Sequence, residues 1–328
     1  MNKPLLSVIT LTYKKFDDLL PTIYSVLSQD YSDIEYIISD DGSESFPKEK
    51  VESFIENNRK DNISEFKLLL NAHNVGTVKH LNKVLKECNG KYIIILPGGD
   101  FFYDSNVLSN AVKIFEAEKS DIIISARATY ADNKVIEIIP HIKDRSRVIK
   151  LDSNKKMYSA LMKTEHYDMF IGINVIYRKS SLYEKGLFDE SYFLLEDIPI
   201  LEKMLWDSKV SLKPDFISVF YDGKYGVSAK WVKNKILMND IKHYNQFGRL
   251  SHFNELNGST RRHIRFGIKR EESKSIITFV FLWLVYSPRI LAYIYYCICR
   301  KISSFGDSKF IKENQLDSRL ASLKTTSE

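Results

Sequence analysis

The first half of the chain alternates short β-branched apolar runs with amphipathic segments of helical spacing. This alternation predicts a mostly parallel sheet covered by helices on both faces, because each parallel crossover leaves room for a helix. A turn at residues 131–134 predicts one hairpin beside this pattern. The predicted strands are 5–12, 34–39, 66–70, 92–96, 122–130, 135–139, 170–177 and 216–221. The predicted helices are 17–28, 47–58, 77–88, 105–118 and 197–206.

Size and composition limit the classes of protein to consider. A chain of 328 residues with 44% hydrophobic content is large enough for a substantial core, and we expect one large domain with an appendage. Cys88, Cys297 and Cys299 lack the spacing of a disulfide framework or a zinc site. This cysteine usage favours a reducing compartment.

Positive charge is concentrated near the C-terminus. The formal net charge is +6. The basic residues of the last fifth are Arg261, Arg262, Arg265, Lys269, Arg270, Lys274, Arg289, Arg300 and Lys301. Their crowding predicts contact with an anionic surface. Nucleic-acid binding is disfavoured, because these residues interleave with long apolar runs that a solvated binding groove does not need.

Polar and acidic groups follow each of the first four predicted strands. They lie in the segments 10–13, 40–43, 71–76 and 97–100, and the last begins after the apolar run 92–96 and ends at Asp100. Parallel connections place all four segments on one rim of the sheet, where open α/β sheets bind ligands. Each segment alone is also compatible with an ordinary turn, since turns recruit Gly, Asp and Asn. The coincidence of four favours a binding site.

The chemistry of this rim suits a nucleotide diphosphate. Carboxylates accept hydrogen bonds from a base or ribose, but they repel a diphosphate unless a divalent cation lies between them. The rim therefore implies a metal. Neither a Gly-x-Gly-x-x-Gly turn nor a Walker A loop follows any of these four strands, which argues against a dinucleotide enzyme and a P-loop NTPase.

Several motifs in order along the chain resemble those of one family. They are residues 5–13, residues 25–31, Asp40-Asp41-Gly42-Ser43, Asn74-Val75-Gly76, Asn82, and Gly90-Lys91-Tyr92 leading into Asp100. Over roughly residues 4–225 the chain resembles the family 2 inverting glycosyltransferases of the GT-A fold, in their bacterial polysaccharide type. The order and spacing of the motifs carry the resemblance.

The resemblance implies roles for individual residues. Thr10 and Thr12 would line the base pocket, Asp40 would hydrogen-bond the nucleobase, and Asp100 would ligate the Mg or Mn that bridges the diphosphate. The other residues assigned to the donor site are Tyr13, Asp41, Asn74, Gly76, Asn82, Gly98 and Gly99.

Two positions depart from the family pattern. Family members commonly carry two acidic residues at the end of the fourth strand, whereas this chain has Gly99-Asp100. The carboxylate near the ribose is thus missing, while the one on the metal side remains. Many members also have an Arg before the helix Asn, where this chain has Leu81.

A second acidic site comes from Glu196 and Asp197, which directly precede a predicted helix. From the residues alone an N-cap or a helix-dipole partner is the favoured interpretation. The resemblance reverses this preference, since residues 186–190 and the apolar helix that follows match the family's acceptor-side segment. It implies that Asp197 is the general base and that Glu196 binds acceptor or shapes the pocket.

Two apolar, aromatic-rich runs near the C-terminus, residues 276–286 and 290–299, are each too short to span a bilayer as one helix. With basic residues on both sides, they predict peripheral or monotopic attachment at the cytoplasmic face of the cell membrane. The alternative is a buried helical hairpin packed on the catalytic domain. The predicted organisation is a catalytic domain at 1–225, a helical membrane-associating region at 226–302, and a polar, flexible tail at 303–328.

The sequence therefore predicts an inverting, hexosyltransferase-type enzyme. It would move a sugar from a nucleotide-diphosphate sugar, preferably a UDP-sugar, to a hydroxyl of a growing, lipid-linked surface glycan. Its partners would be this donor, a glycan or lipid-linked glycan acceptor, and the inner-leaflet surface, without nucleic acid. One alternative is a non-catalytic sugar-nucleotide-binding or scaffold protein. Another is a nucleotidyltransferase. Such an enzyme would be expected to carry a basic phosphate-binding loop near the N-terminus, which residues 10–15 do not resemble.

Overall fold

The computed structural model describes residues 4–163, 169–224, 234–272 and 275–325. The strands are β1 Leu6–Thr12, β2 Ile34–Asp40, β3 Ile63–Leu70, β4 Tyr92–Ile95, β5 Phe101–Phe102, β6 Ile122–Ala131, β7 Lys134–Ile139, β8 Val175–Arg178 and β9 Val210–Asp222. The α-helices are α1 Leu19–Leu27, α2 Lys48–Asn58, α3 Thr77–Glu87, α4 Val107–Glu118, α5 Arg145–Val148, α6 Asn154–Lys163, α7 Lys179–Glu184, α8 Asp197–Asp207, α9 Lys235–Gln246, α10 Gly258–Glu272, α11 Ile276–Val285, α12 Ser287–Glu313 and α13 Leu316–Thr325.

The described strands form one mixed sheet in the order β3-β2-β1-β4-β8-β6-β9-β5, with β7 paired to β6. Strands β1 to β4, β6 and β9 run in one direction, whereas β5, β7 and β8 run in the other. The predicted α/β class is confirmed. Strands β1 and β2 are rich in β-branched residues and are buried along their length, because helices cover both faces of the sheet.

The register aligns the strand ends that carry the polar segments. Thr12 at the end of β1 pairs with Asp40 at the end of β2. Beyond β4 the chain continues along β1, where the N–H of Leu96 donates to the Ile9 carbonyl and that of Gly98 to the Leu11 carbonyl. The predicted rim is therefore present at the ends of these strands.

Some element boundaries differ from the predicted ones. The strand expected at 170–177 begins only at Val175, because Gly172–Asn174 forms a 3-10 turn. The Asn174 amide stabilises this turn by donating to the Met169 and Ser125 carbonyls. β9 begins earlier than predicted, and it pairs with the unpredicted two-residue strand β5.

The expectation of a flexible tail at 303–328 is wrong for its described part. Residues 303–313 continue α12, and α13 packs on the catalytic domain with Leu316 and Leu320 fully buried. Asp307 accepts hydrogen bonds from the N–H groups of Ile138 and Ile142. Two leucines and one buried carboxylate thus order a segment whose composition is mostly polar.

The two apolar runs at 276–286 and 290–299 form helices α11 and α12, and α12 extends beyond its run at both ends. No helix among the described residues is long and apolar enough to cross a membrane.

Candidate active site

The first wall of the site is formed by the ends of β1 and β2. Thr12 Oγ1 donates to Asp40 Oδ2 at 2.9 Å, and Ser43 donates to Asp40 through its N–H and its hydroxyl. Thr10 lies one layer deeper, fully buried with Oγ1 3.1 Å from the Tyr36 hydroxyl. Tyr13 is exposed at the rim. The structure thus fixes the orientation of the Asp40 carboxylate and places Thr10 beneath the rim.

Asp41 organises the loop after β3. Its Oδ1 accepts hydrogen bonds from the Asn71 amide at 2.8 Å and from the Val75 N–H at 3.1 Å, and its Oδ2 accepts from the Gly76 N–H at 3.0 Å. Asn74 is carried by this loop and is partly exposed. Asp41 is therefore a structural anchor that sets the position of residues 71–76 and the start of α3.

Asn82 lies on α3, and its side chain bonds to residues 188 and 190. Its amide donates to the Phe188 carbonyl at 2.8 Å and to the Glu190 side chain at 3.0 Å, and its Oδ1 accepts from the Phe188 N–H. These bonds tie α3 to the loop that precedes Glu196 and Asp197. The structure therefore gives Asn82 a structural role in holding α3 to this loop.

Asp100 is buried at the end of the β4 loop, and the backbone N–H of Asp222 donates to its Oδ1 at 2.8 Å. Burial, together with the nearby charge of Asp222, raises the pKa of Asp100 to about 7, although the bond from the Asp222 N–H opposes this shift. Lys15 Nζ lies 3.0 Å from Asp222 Oδ2. Asp100, Asp222 and Lys15 therefore form one charged cluster next to Gly99.

Gly98 and Gly99 shape the backbone beside this cluster. Gly98 packs against the end of β1, and a Cβ there would lie 3.1 Å from the Thr12 methyl group. The Gly99 N–H donates to Thr22 Oγ1 at 2.9 Å, and its carbonyl accepts from the Tyr130 hydroxyl. Gly99 has a φ of +102°, a conformation that L side chains rarely adopt.

A divalent cation fits the donor set around Asp100. No group of three or more His, Cys, Asp or Glu that could hold a metal occurs within the described residues. A Mg or Mn ion needs no more than one or two protein carboxylates when phosphate oxygens and water complete its coordination. Asp100 Oδ2 receives no hydrogen bond from any described residue, so Asp100 would hold such an ion through a hard oxygen ligand.

Glu196 and Asp197 form the second acidic site, at the N-terminus of α8. Asp197 accepts hydrogen bonds from the Gly172 N–H at 3.0 Å and from the Ile198 N–H at 2.8 Å. Burial raises the pKa of Asp197, and these bonds oppose the shift. Burial and the charge of Asp197 raise the pKa of Glu196 to about 8. Near neutral pH Glu196 is therefore largely protonated.

Arg127, on β6, is a buried positive charge that acts on both acidic sites. It is buried, its Nη1 donates to the Asn174 side chain at 3.4 Å, and its guanidinium stands over the Tyr221 ring. Its charge lowers the pKa of both Asp100 and Asp197. One buried cation thus acts on both carboxylates.

Asp240, on α9, holds the segment before Glu196. Its Oδ2 accepts hydrogen bonds from three consecutive backbone N–H groups, those of residues 193–195, at 3.0, 2.6 and 3.2 Å. This carboxylate fixes the approach of the chain to α8 and hence the position of the acidic pair.

Sequence reasoning did not find Lys15, Arg127, Asp222 or Asp240. Arg127 could have been recognised from the sequence, because it is a charged residue within the otherwise uncharged predicted strand 122–130. Lys15, Asp222 and Asp240 cannot be recognised in this way, because their roles depend on contacts between distant segments.

Together, the sheet, the polar rim and the two acidic sites define a GT-A type nucleotide-sugar transferase. The family model described as "Glycosyl transferase family 2" matches residues 7–185, more than half of the chain. The chain therefore belongs to glycosyltransferase family 2 and is a glycosyltransferase, which confirms the resemblance.

Curated relatives match over shorter stretches. The "UDP-Glc:alpha-D-GlcNAc-diphosphoundecaprenol beta-1,3-glucosyltransferase WfaP" of Escherichia coli is 33% identical over 115 residues, covering 35% of this chain and 43% of WfaP. The "Bifunctional glycosyltransferase pgtA" of Dictyostelium discoideum is 29% identical over 133 residues, covering 40% of this chain and 17% of pgtA. The chain thus spans less than two thirds of these relatives.

Solved structures share the fold at low identity. A fragment of S. aureus TarS in complex with UDP-GlcNAc superposes with a TM-score of 0.54 at 16% identity, covering 95% of this chain and 92% of the fragment. The mannosyltransferase PcManGT from Pyrobaculum calidifontis, in complex with GDP-Man and Mn²⁺, gives a TM-score of 0.51 at 13% identity, covering 95% of this chain and 87% of PcManGT. These likenesses confirm the GT-A fold.

Proposed function

We propose that this glycosyltransferase moves a sugar, with inversion, from a UDP-sugar to a hydroxyl of a growing, lipid-linked surface glycan. The observation that carries the proposal is the pair of acidic sites, one at Asp100 and one at Glu196 and Asp197, which are both influenced by the charge of Arg127. The activity for which WfaP is named supports the UDP donor and the lipid-diphosphate acceptor. The TarS complex supports UDP as well.

Asp197 is the general base of the proposed reaction. It takes the proton of the acceptor hydroxyl as the oxygen forms its bond to the anomeric carbon and the bond to the diphosphate breaks on the opposite face. An α-linked donor therefore gives a β-linkage. The N–H groups of Gly172 and Ile198 orient Asp197, while Glu196 stays protonated and contacts acceptor.

The donor lies along the rim in this proposal. The base and ribose occupy the wall formed by Thr12, Tyr13 and Asp40, beside the loop of Asn74 and Gly76 and the backbone of Gly98 and Gly99. Asp100 would hold Mg or Mn, which would neutralise the charge of the departing nucleoside diphosphate. The Mn²⁺ in the PcManGT complex supports the choice of metal.

The experiment is a donor screen followed by a transfer assay. UDP-, GDP- and dTDP-sugars are compared by thermal shift with Mn²⁺, because a bound ligand raises the melting temperature according to its affinity. A UDP-sugar should give the largest shift, and Asp100→Ala should abolish its Mn²⁺-dependent part. Asp197→Asn should keep the shift and lose transfer to a lipid-linked acceptor. Near-normal turnover of Asp197→Asn would assign the base elsewhere, and donor binding without transfer by the wild type would favour a scaffold protein.

We also propose that the enzyme attaches to the cytoplasmic face of the membrane through α11 and α12. One face of α11 exposes apolar side chains at helical spacing, namely Ile277, Val280, Phe281 and Leu284. A matching stripe on α12 comprises Leu291, Ile294, Tyr295, Ile298, Ile302 and Phe305. Exposed stripes of this length favour membrane contact over the alternative of a buried hairpin.

Basic groups lie beside these stripes. A cavity of about 420 Å³ is lined by Arg261, Arg262 and Arg265 together with Val285 and Tyr286. Arg262 donates to the Val285 carbonyl at the end of α11, so the arginines are held next to the apolar face. Guanidinium groups at the edge of an apolar surface suit the phosphates of an anionic leaflet.

A further inference from the structure

The space that a side chain at position 99 would fill is bordered by two charged groups. A Cβ on Gly99 would lie 3.5 Å from Lys15 Nζ and 3.9 Å from Asp222 Oδ2. Asp222 ends β9, far from Gly99 in the sequence. The end of β9 thus brings the Asp222 carboxylate close to the place that an acidic side chain at position 99 would occupy, next to Asp100.

Asp222 is suited to act together with Asp100. Its side chain is only 6% exposed, and its own N–H holds Asp100 Oδ1, so the positions of the two carboxylates are coupled. Asp222 Oδ1 accepts from the Lys224 N–H, which fixes its orientation. Two adjacent buried carboxylates repel each other strongly where water is excluded, so a cation bound between them stabilises the ionised pair.

Lys15 supplies that cation in the structure. Its ammonium contacts Asp222 Oδ2 at 3.0 Å, and its side chain is 32% exposed. The ammonium therefore reaches a buried acid from a position that is open to solvent. A divalent ion has twice the charge and accepts several oxygen ligands, so it competes with a lysine for the same carboxylate.

We propose that Asp222 is the second carboxylate ligand of the divalent cation and replaces the acid missing at Gly99. Lys15 is the counter-ion that occupies Asp222 until the cation binds. The released ammonium then lies at the rim, where it pairs with the diphosphate of the donor. This inference rests on the proposed metal-dependent donor site at Asp100.

The test measures Mn²⁺ binding to the full chain directly, by the loss of the free-ion EPR signal, with and without saturating UDP. Asp222→Asn should weaken Mn²⁺ binding about tenfold or more, as loss of a hard ligand does. Lys15→Met should tighten Mn²⁺ binding in the absence of UDP about threefold, because a partly exposed ion pair is removed. A gain in affinity cannot come from misfolding.

Matched controls exclude a general charge effect. Asp132→Asn removes an exposed carboxylate paired with Lys224, and Lys14→Met removes the neighbouring exposed lysine. Both should bind Mn²⁺ as the wild type does. Wild-type affinity in Asp222→Asn, with binding lost in Asp100→Ala, would overturn this inference and leave the proposed function intact. A wild type that transfers sugar but binds no Mn²⁺ would overturn both the inference and the proposed metal.

Discussion

The backbone N–H of Gly172 donates a 3.0 Å hydrogen bond to Oδ2 of Asp197. A Cβ at position 172 would lie 3.0 Å from the Asp197 Cβ, closer than packed side chains normally approach. The glycine therefore allows the turn before β8 to orient the proposed base.

Gly172→Ala should displace Asp197 and lower kcat about 10- to 100-fold, because a small misplacement of a reacting group is costly. Thermal shifts with donor and Mn²⁺ should stay close to those of the wild type. Gly258→Ala is the control, since a Cβ there meets nothing within 4 Å. An unchanged kcat in Gly172→Ala would show that this contact does not position the base.

The raised pKa values of the acidic pair predict the pH dependence of transfer. The base must be ionised, so activity is lost as pH falls through the pKa of Asp197, which burial raises above the usual range. The acidic limb of kcat/KM should therefore lie at higher pH than for an ordinary aspartate.

Glu196→Gln tests which of the two carboxyl groups gives the acidic limb of the kcat/KM profile against pH. Burial and the charge of Asp197 raise the pKa of Glu196 to about 8, and glutamine imitates its neutral, protonated form. The acidic limb of the Glu196→Gln profile should therefore lie at the same pH as that of the wild type. A limb displaced by more than one pH unit would mean that Glu196 itself carries the titration.

Asp41 should matter for stability and only indirectly for chemistry. Asp41→Ala leaves the N–H groups of Val75 and Gly76 without their acceptor, and we expect a loss of about 2–4 kcal/mol in the free energy of unfolding. Donor affinity should also fall, because residues 71–76 lose their anchor. Asp41→Asn keeps the size and one acceptor oxygen and should lose less. Denaturant unfolding monitored by circular dichroism measures both.

The rim at the ends of β1, β2 and β4 was predictable from the sequence, because parallel strands bring consecutive carboxyl ends together. Asp222 could not be found in this way, since the sheet order that brings β9 beside β5 depends on contacts between distant segments. The same holds for Asp240, whose three bonds cross from α9 to residues 193–195. The burial of α13 was missed because its few leucines give a weak pattern among polar residues.

Leu320→Ala tests the packing of α13 on the catalytic domain. Leu320 is fully buried with Leu316 against β6, β7 and β9 residues, so truncation should lower the free energy of unfolding by about 2–4 kcal/mol. Leu250→Ala, at a residue that is 41% exposed, is the control and should change the unfolding free energy by less than about 0.5 kcal/mol. Equal effects of the two variants would contradict a docked α13.

The exposed stripes of α11 and α12 predict binding to anionic vesicles. The full chain should pellet with phosphatidylglycerol vesicles and much less with phosphatidylcholine, because the arginines beside α11 add an electrostatic contribution. Phe281→Glu combined with Ile298→Glu should weaken pelleting about tenfold or more, since each change places a charge in the apolar face. Ile149→Glu carries the same change at a residue that is 56% exposed outside the stripes, and it should bind as the wild type does. If the double variant pellets like the wild type, these helices do not form the membrane contact.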